Sequence, residues 1–141
     1  MKIKLIEEIK NLRHKISSQK ELINYYDQMS HSLGGSDFTT ERVDKTRDLR
    51  APFEKWIFKK IDAEDKLKIF EEELSIKLDE LSVAIEKIES HNHKMVLISR
   101  YLHDLGWEYI PSELGYSSSS VYRLHREGMA LLSNLIVNDS K

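Results

Sequence analysis

Arg123 and Arg126 stand three residues apart in the string SSSSVYRLHRE, behind four consecutive serines and beside Tyr122. A guanidinium can bind the O6 and N7 edge of guanine through two hydrogen bonds, and it can equally clamp a phosphate. Serine and tyrosine hydroxyls reach phosphates or base edges. If this stretch is a helix, turning at about 100° per residue, then Val121, Leu124, Gly128 and Leu132 share one side, with His125 at its border. Ser119, Tyr122, Arg123 and Arg126 fall around the other side. Ser118, Ser119 and Ser120 occupy the first turn, where small side chains leave backbone amides open to an anion. Lys94 and Arg100 are further phosphate-contact candidates. The plainer reading of the same residues is a solvated helix face carrying two ordinary arginines.

The elements that would hold this face lie just upstream. Met95, Val96, Ile98, Tyr101 and Leu102 recur at helical spacing and end in Asp104-Leu105-Gly106. A second, short helix is expected through Ile110 and Leu114, closed by a Gly115-Tyr116-Ser117 turn. Gly115 suits a left-handed helix end, and Ser117 suits the cap of the next helix. Two short helices joined by a glycine-containing turn form a helix-turn-helix, whose last helix is offered to the major groove. Trp107 is expected as a packing anchor rather than a base-stacking group. Pro111 removes one backbone donor, so the second helix should be short or tilted.

Residues 1–92 read as a helical arm. Leu5, Ile9, Leu12, Ile16, Ile23 and Tyr26 form a narrow apolar stripe over residues 3–33, with Arg13, Lys15, Lys20 and Glu21 on the solvent side. Ser32-Leu33-Gly34-Gly35-Ser36-Asp37 should break it. Residues 34–52 are expected to be irregular or weakly helical, with Thr39 or Thr40 as a cap and a boundary at Ala51, because the residue before Pro52 avoids helical geometry. A second long helix is expected over residues 53–90. There Leu67, Leu74, Leu81 and Ile88 repeat every seven residues, with Phe70 and Ala84 as companions and Lys77 interrupting beside Leu78. Periodicity fixes this face and not its partner: a hairpin within one chain and a homodimer both satisfy it. The expected fold is all-α, a long helical hairpin or coiled-coil arm followed by a helix-turn-helix over residues 93–137.

Composition narrows the function classes. Charged residues make up 33% of the 141-residue chain, and glycine and proline number only five and two, a balance that favours solvated helices over sheet. The absence of cysteine removes disulfides, thiolate chemistry and cysteine zinc sites. No apolar run approaches the ~18 residues of a membrane span, and the MKIKLIEEIK start, with acids inside its first turns and no continuous apolar stretch, is a poor secretory signal, so a cytoplasmic protein with no membrane partner is expected. Net charge is −2, and beyond His93 the bases Lys94, Arg100, Arg123, Arg126 and Lys141 are matched by Asp104, Glu108, Glu113, Glu127 and Asp139. A DNA contact here rests on a local positive face, with dimerisation or a second protein adding to it.

Enzymatic chemistry finds little support. His91, His93 and His103 suggest a metal site, but histidines two apart on a helix diverge and no third ligand is well spaced. The expectation is therefore no metal, with these histidines at an exposed helix end beside terminal carbonyls. The letters HNH do not make a nuclease, Glu7-Glu8 and Glu71-Glu72-Glu73 read as solvated faces, and there is no phosphate-cradling glycine loop. Neither an enzyme nor a cofactor is expected.

The C-terminal residues resemble region 4 of bacterial sigma factors. The pattern is carried by Arg100-Tyr101-Leu102, Trp107, Ile110, Leu114-Gly115-Tyr116-Ser117, Val121-Tyr122-Arg123-Leu124-His125 and Leu132. The whole chain is similar to the ArpU/RinA-like late-gene activators of Gram-positive phages in its helical arm, its Gly34-Gly35-Ser36-Asp37 break followed by Val43 and Asp44, and its sigma-like end. Pro111 and Gly128 depart from that pattern, standing where alanine is usual. The resemblance implies sequence-specific binding of double-stranded DNA, transcriptional regulation and contact with RNA polymerase. A protein-interaction scaffold and a small phage packaging (terminase) subunit are the alternatives.

Overall fold

The computed structural model describes residues 3–33 and 46–139, all-helical in its regular elements: α1 (Lys4–Leu33), α2 (Thr46–Glu86), α3 (His91–Leu97), α4 (Ile110–Leu114) and α5 (Ser118–Asp139), with a π-helical turn (Ile98–Leu102) continuing α3. The chain forms two compact units, Asn11–Leu74 and Met1–Lys10 with Ser75–Lys141. The first turns of α1 and the last turns of α2 group with the C-terminal helices.

In the unit spanning Asn11–Leu74, α1 and α2 form an antiparallel hairpin within one chain. Leu12 and Ile16 are buried on α1, and Ala63 is buried on α2. Gln19 Nε2 donates to the Ala63 carbonyl at 2.9 Å, and Lys60 Nζ donates to Asp27 Oδ1 at 2.8 Å. That bond draws the Asp27 carboxyl below its usual range and raises the Lys60 ammonium. Toward the hairpin tip Trp56 meets Tyr25 edge-on at 5.9 Å and Tyr26 at 5.7 Å, with Lys59 over Tyr26 and Trp56. The heptad residues Leu67, Phe70 and Leu74 are half-buried.

Helix α2 begins seven residues before Phe53 and passes through Pro52. That corrects the boundary expected at Ala51. A proline removes one backbone donor from a helix, and propagation along the chain outweighs the local preference of the residue before it. The glycine-serine break and the Thr39 or Thr40 cap lie outside the described residues. At its other end α2 stops at Glu86 rather than Ser90, so His91 and His93 open α3 instead of closing the preceding helix.

In the second unit the core combines Ile3 just before α1 and Leu5, Ile6 and Ile9 of α1, Leu81, Ala84 and Ile85 of α2 with Ile88 just beyond it, and the C-terminal helices. Lys77, which interrupts the heptad, is half-buried and pairs with Glu8 at 3.4 Å. Val96, Ile110, Val121 and Leu124 form one buried cluster, with Leu105, Trp107, Leu114 and Tyr116 packed around it. Leu97 and Leu132 have no exposed surface. Among the described residues no helix is long and apolar enough to cross a membrane.

Candidate nucleic-acid interface

Three local devices set the direction of α5. The first is at the end of α3, where the His103 amide bonds to the Ile98 carbonyl five residues back at 2.9 Å. The chain then reverses at Asp104 in left-handed geometry, φ 58°, and the Leu105 amide returns to the Ser99 carbonyl at 3.0 Å. Aspartate is one of the few residues that accept this conformation without a glycine. The second is α4, in which Pro111 occupies the first turn, where its missing N–H has no helical partner to lose. Gly115 closes α4 at φ 77°, and the Gly115 and Tyr116 amides both reach the Pro111 carbonyl, at 2.8 and 2.9 Å. The third is the cap of α5: Ser117 Oγ accepts the Ser120 amide at 3.2 Å.

The face of α5 matches its helical spacing. Val121, Leu124 and Leu132 are 1%, 5% and 0% exposed, and Gly128 is buried with them. Gly128 faces α3 closely: a Cβ there would lie 3.3 Å from Leu97 Cδ1 and 3.6 Å from the His93 carbonyl oxygen. The glycine that departs from the sigma-like pattern thus removes bulk at a helix–helix seam. On the opposite side Ser119, Tyr122, Arg123 and Arg126 are exposed; in the first turn Ser118 is exposed and Ser120 half-buried.

The candidate contact residues differ in how free they are. Arg126 has no ion pair among the described residues. Arg123 NH1 lies 3.3 Å from Glu127 Oε1, one turn along the helix. The same carboxylate oxygen lies 2.8 Å from His93 Nε2 of α3. The His93 bond, reinforced by Arg123, holds the Glu127 carboxyl below its usual range. Lys94 is half-buried in the middle of α3. Arg100, read from the sequence as a phosphate contact, is engaged internally: NH1 donates to the Leu105 carbonyl at 3.0 Å, and the guanidinium stacks 4.7 Å above the Trp107 ring.

Trp107 is half-buried between elements, as an anchor should be. It packs edge-on against His125 at 4.7 Å and beside Tyr122 at 5.1 Å. Beneath it Tyr101 Oη and His125 Nε2 share a 2.6 Å hydrogen bond. Burial pushes the Tyr101 hydroxyl up and the His125 imidazole down, Arg100 adding to the latter. A neutral His125 accepting from the phenol fits both shifts. Tyr116 Oη donates to Asn92 Oδ1 at 2.5 Å, tying the turn before α5 back to α3. These ties to His93 and Asn92 were not foreseen from the sequence, since neither spacing nor residue type links α3 to a carboxylate 34 positions away. His91 and His103 are exposed, and among the described residues no three metal-ligating side chains gather.

Comparison of the chain with protein-family models, with curated proteins and with solved structures gives no match.

Proposed function

We propose that the C-terminal helices are a helix-turn-helix of the sigma region 4 kind and that the chain is a sequence-specific DNA-binding transcriptional regulator of phage type. One observation carries the reading: α5 is capped and fixed on its buried side while Ser119, Tyr122, Arg123 and Arg126 stand exposed together on the other, with Ser118 exposed in the first turn. In the groove Arg126 and Arg123 would read base edges, Tyr122 and the serine hydroxyls would meet phosphates, and the first-turn amides of α5 would face a backbone phosphate. Lys94 contributes a phosphate contact from α3. Arg100 contributes indirectly, by bracing the loop that carries Trp107. The helical arm would supply dimerisation, and the regulator would meet RNA polymerase on a surface away from α5. No enzymatic step is part of this function.

Selection of bound sequences from a random duplex pool tests the proposal. A regulator enriches a defined motif whose symmetry reports whether one chain or two bind. Failure to enrich any sequence, with no retention of duplex at low salt, contradicts it. The near balance of acids and bases beyond His93, together with the Arg123–Glu127 pair, favours a second reading, a protein-interaction module. That module would bind no duplex at any salt concentration.

A further inference from the structure

Resting on the DNA-binding reading, we propose that Glu127 is a positioning residue that restrains Arg123 and thereby sharpens discrimination between DNA sequences. An exposed ion pair one helical turn apart normally averages over many geometries and holds little. Here the carboxylate is not free to average. Its Oε1 is tethered at 2.8 Å to His93 Nε2, on a side chain only 19% exposed, and the same oxygen faces Arg123 at 3.3 Å. The other ring nitrogen of His93, Nδ1, is buried without a partner among the described residues, so Glu127 is the polar tether of that imidazole. The acid is thus fixed to α3 and presents one oxygen to the arginine from a set position.

The two arginines of the face are unequal in consequence. Arg126 can meet any phosphate at no internal loss. Arg123 must exchange a held carboxylate for its DNA contact, and a single phosphate replaces that carboxylate poorly. A guanine edge offers two aligned acceptors and replaces it well. Glu127 therefore weakens binding to arbitrary duplex more than binding to the correct site. It also sets a negative charge close to where the phosphates pass, which by itself would weaken both alike.

The test compares the full-length wild type, Glu127→Gln, Arg123→Ala and the double variant. The probes are a duplex enriched from a random pool by the wild type and a scrambled duplex of the same composition, with affinities read by fluorescence anisotropy across a potassium chloride titration. Glutamine keeps an acceptor for His93, and unfolding curves verify that each variant is folded. Glu127→Gln is expected to tighten scrambled-duplex binding about two- to fivefold, to change the enriched duplex by less, and to steepen the salt slope. In the Arg123→Ala background the discrimination effect should vanish. Equal tightening on both duplexes, persisting without Arg123, reduces Glu127 to a repelling charge and overturns the proposal. So does no change on either duplex. A wild type that binds neither duplex overturns the DNA-binding reading itself, and this proposal with it.

Discussion

Replacing Gly128 probes the seam between α3 and α5 on which the orientation of the exposed arginines depends. A glycine-to-alanine change inside a helix ordinarily gains about 0.8–1.0 kcal/mol from propensity alone. At this position the new Cβ would stand 3.3 Å from Leu97 Cδ1 and 3.4 Å from Leu97 Cγ. Comfortable carbon–carbon separation is about 3.5–4.0 Å, so the contact is short by a few tenths of an ångström. Leu97 has no exposed surface into which it could retreat. The propensity gain and the overlap should nearly cancel, leaving Gly128→Ala within about 0.5 kcal/mol of wild type. Gly128→Val adds three carbons to the same seam, two more than alanine, and loses the favourable propensity of alanine. Overpacking of this kind costs about 1–3 kcal/mol, and the expected loss is about 2 kcal/mol. For a chain of this length that corresponds to a fall of roughly 8 °C in Tm. Urea unfolding followed by circular dichroism measures both variants, with an unchanged m value showing that the denatured state is unaffected. The reasoning is refuted if the valine variant matches wild type, or if the alanine variant gains the full propensity increment as it would at an open site.

Further predictions follow from the other contacts. Ser117→Ala removes the acceptor for the Ser120 amide and should cost about 1 kcal/mol, read by the same unfolding curves. Arg100→Ala should lower stability by about 1–2 kcal/mol through loss of the Trp107 stacking and the Leu105 bond, with little change in the salt slope of DNA binding; a large slope change with no stability loss would restore Arg100 as a phosphate contact. Burial lowers the His125 pKa, so the unfolded chain takes up a proton that the folded chain resists: this stability is present above the usual 6.5 and is lost as pH falls through the folded value. Glu127, also lowered, contributes above its usual 4.5 and loses that contribution in a more acid range. Tyr101, raised, contributes below its usual 10.0 and loses it as pH rises. His125→Gln should flatten the limb of the stability curve that falls away below the usual 6.5, while leaving the more acid limb in place.

Much of the candidate face was legible because helical periodicity is local. The alternation of Val121, Leu124 and Leu132 with Arg123 and Arg126 separates inside from outside without tertiary knowledge, and glycine at 115 and serine at 117 carry their conformations in their chemistry. The hairpin was half legible: the heptads marked a seam on α2, but only the folded chain shows α1 as its partner between residues 11 and 74. The start of α2 was misplaced because the local restriction at Ala51-Pro52 was given more weight than the continuation of the helix through it. The π turn and the left-handed Asp104 left no periodic trace, since a single widened turn shifts register without changing composition. Gly128 read only as a departure from the alanine usual in the sigma-like pattern until the neighbouring Leu97 showed what an alanine would meet. Arg100 read as a surface cation because a sequence does not reveal an aromatic ring lying under a guanidinium.

The salt dependence of duplex binding by the wild-type chain, compared with Arg126→Ala, bears most directly on the central claim. The account predicts that affinity falls linearly with salt on logarithmic axes, by about 0.9 for each phosphate neutralised. It also predicts that Arg126→Ala either reduces that slope by about one phosphate or selectively weakens the enriched duplex. A wild-type affinity that is flat with salt, or unaltered in every respect by loss of Arg126, would contradict it.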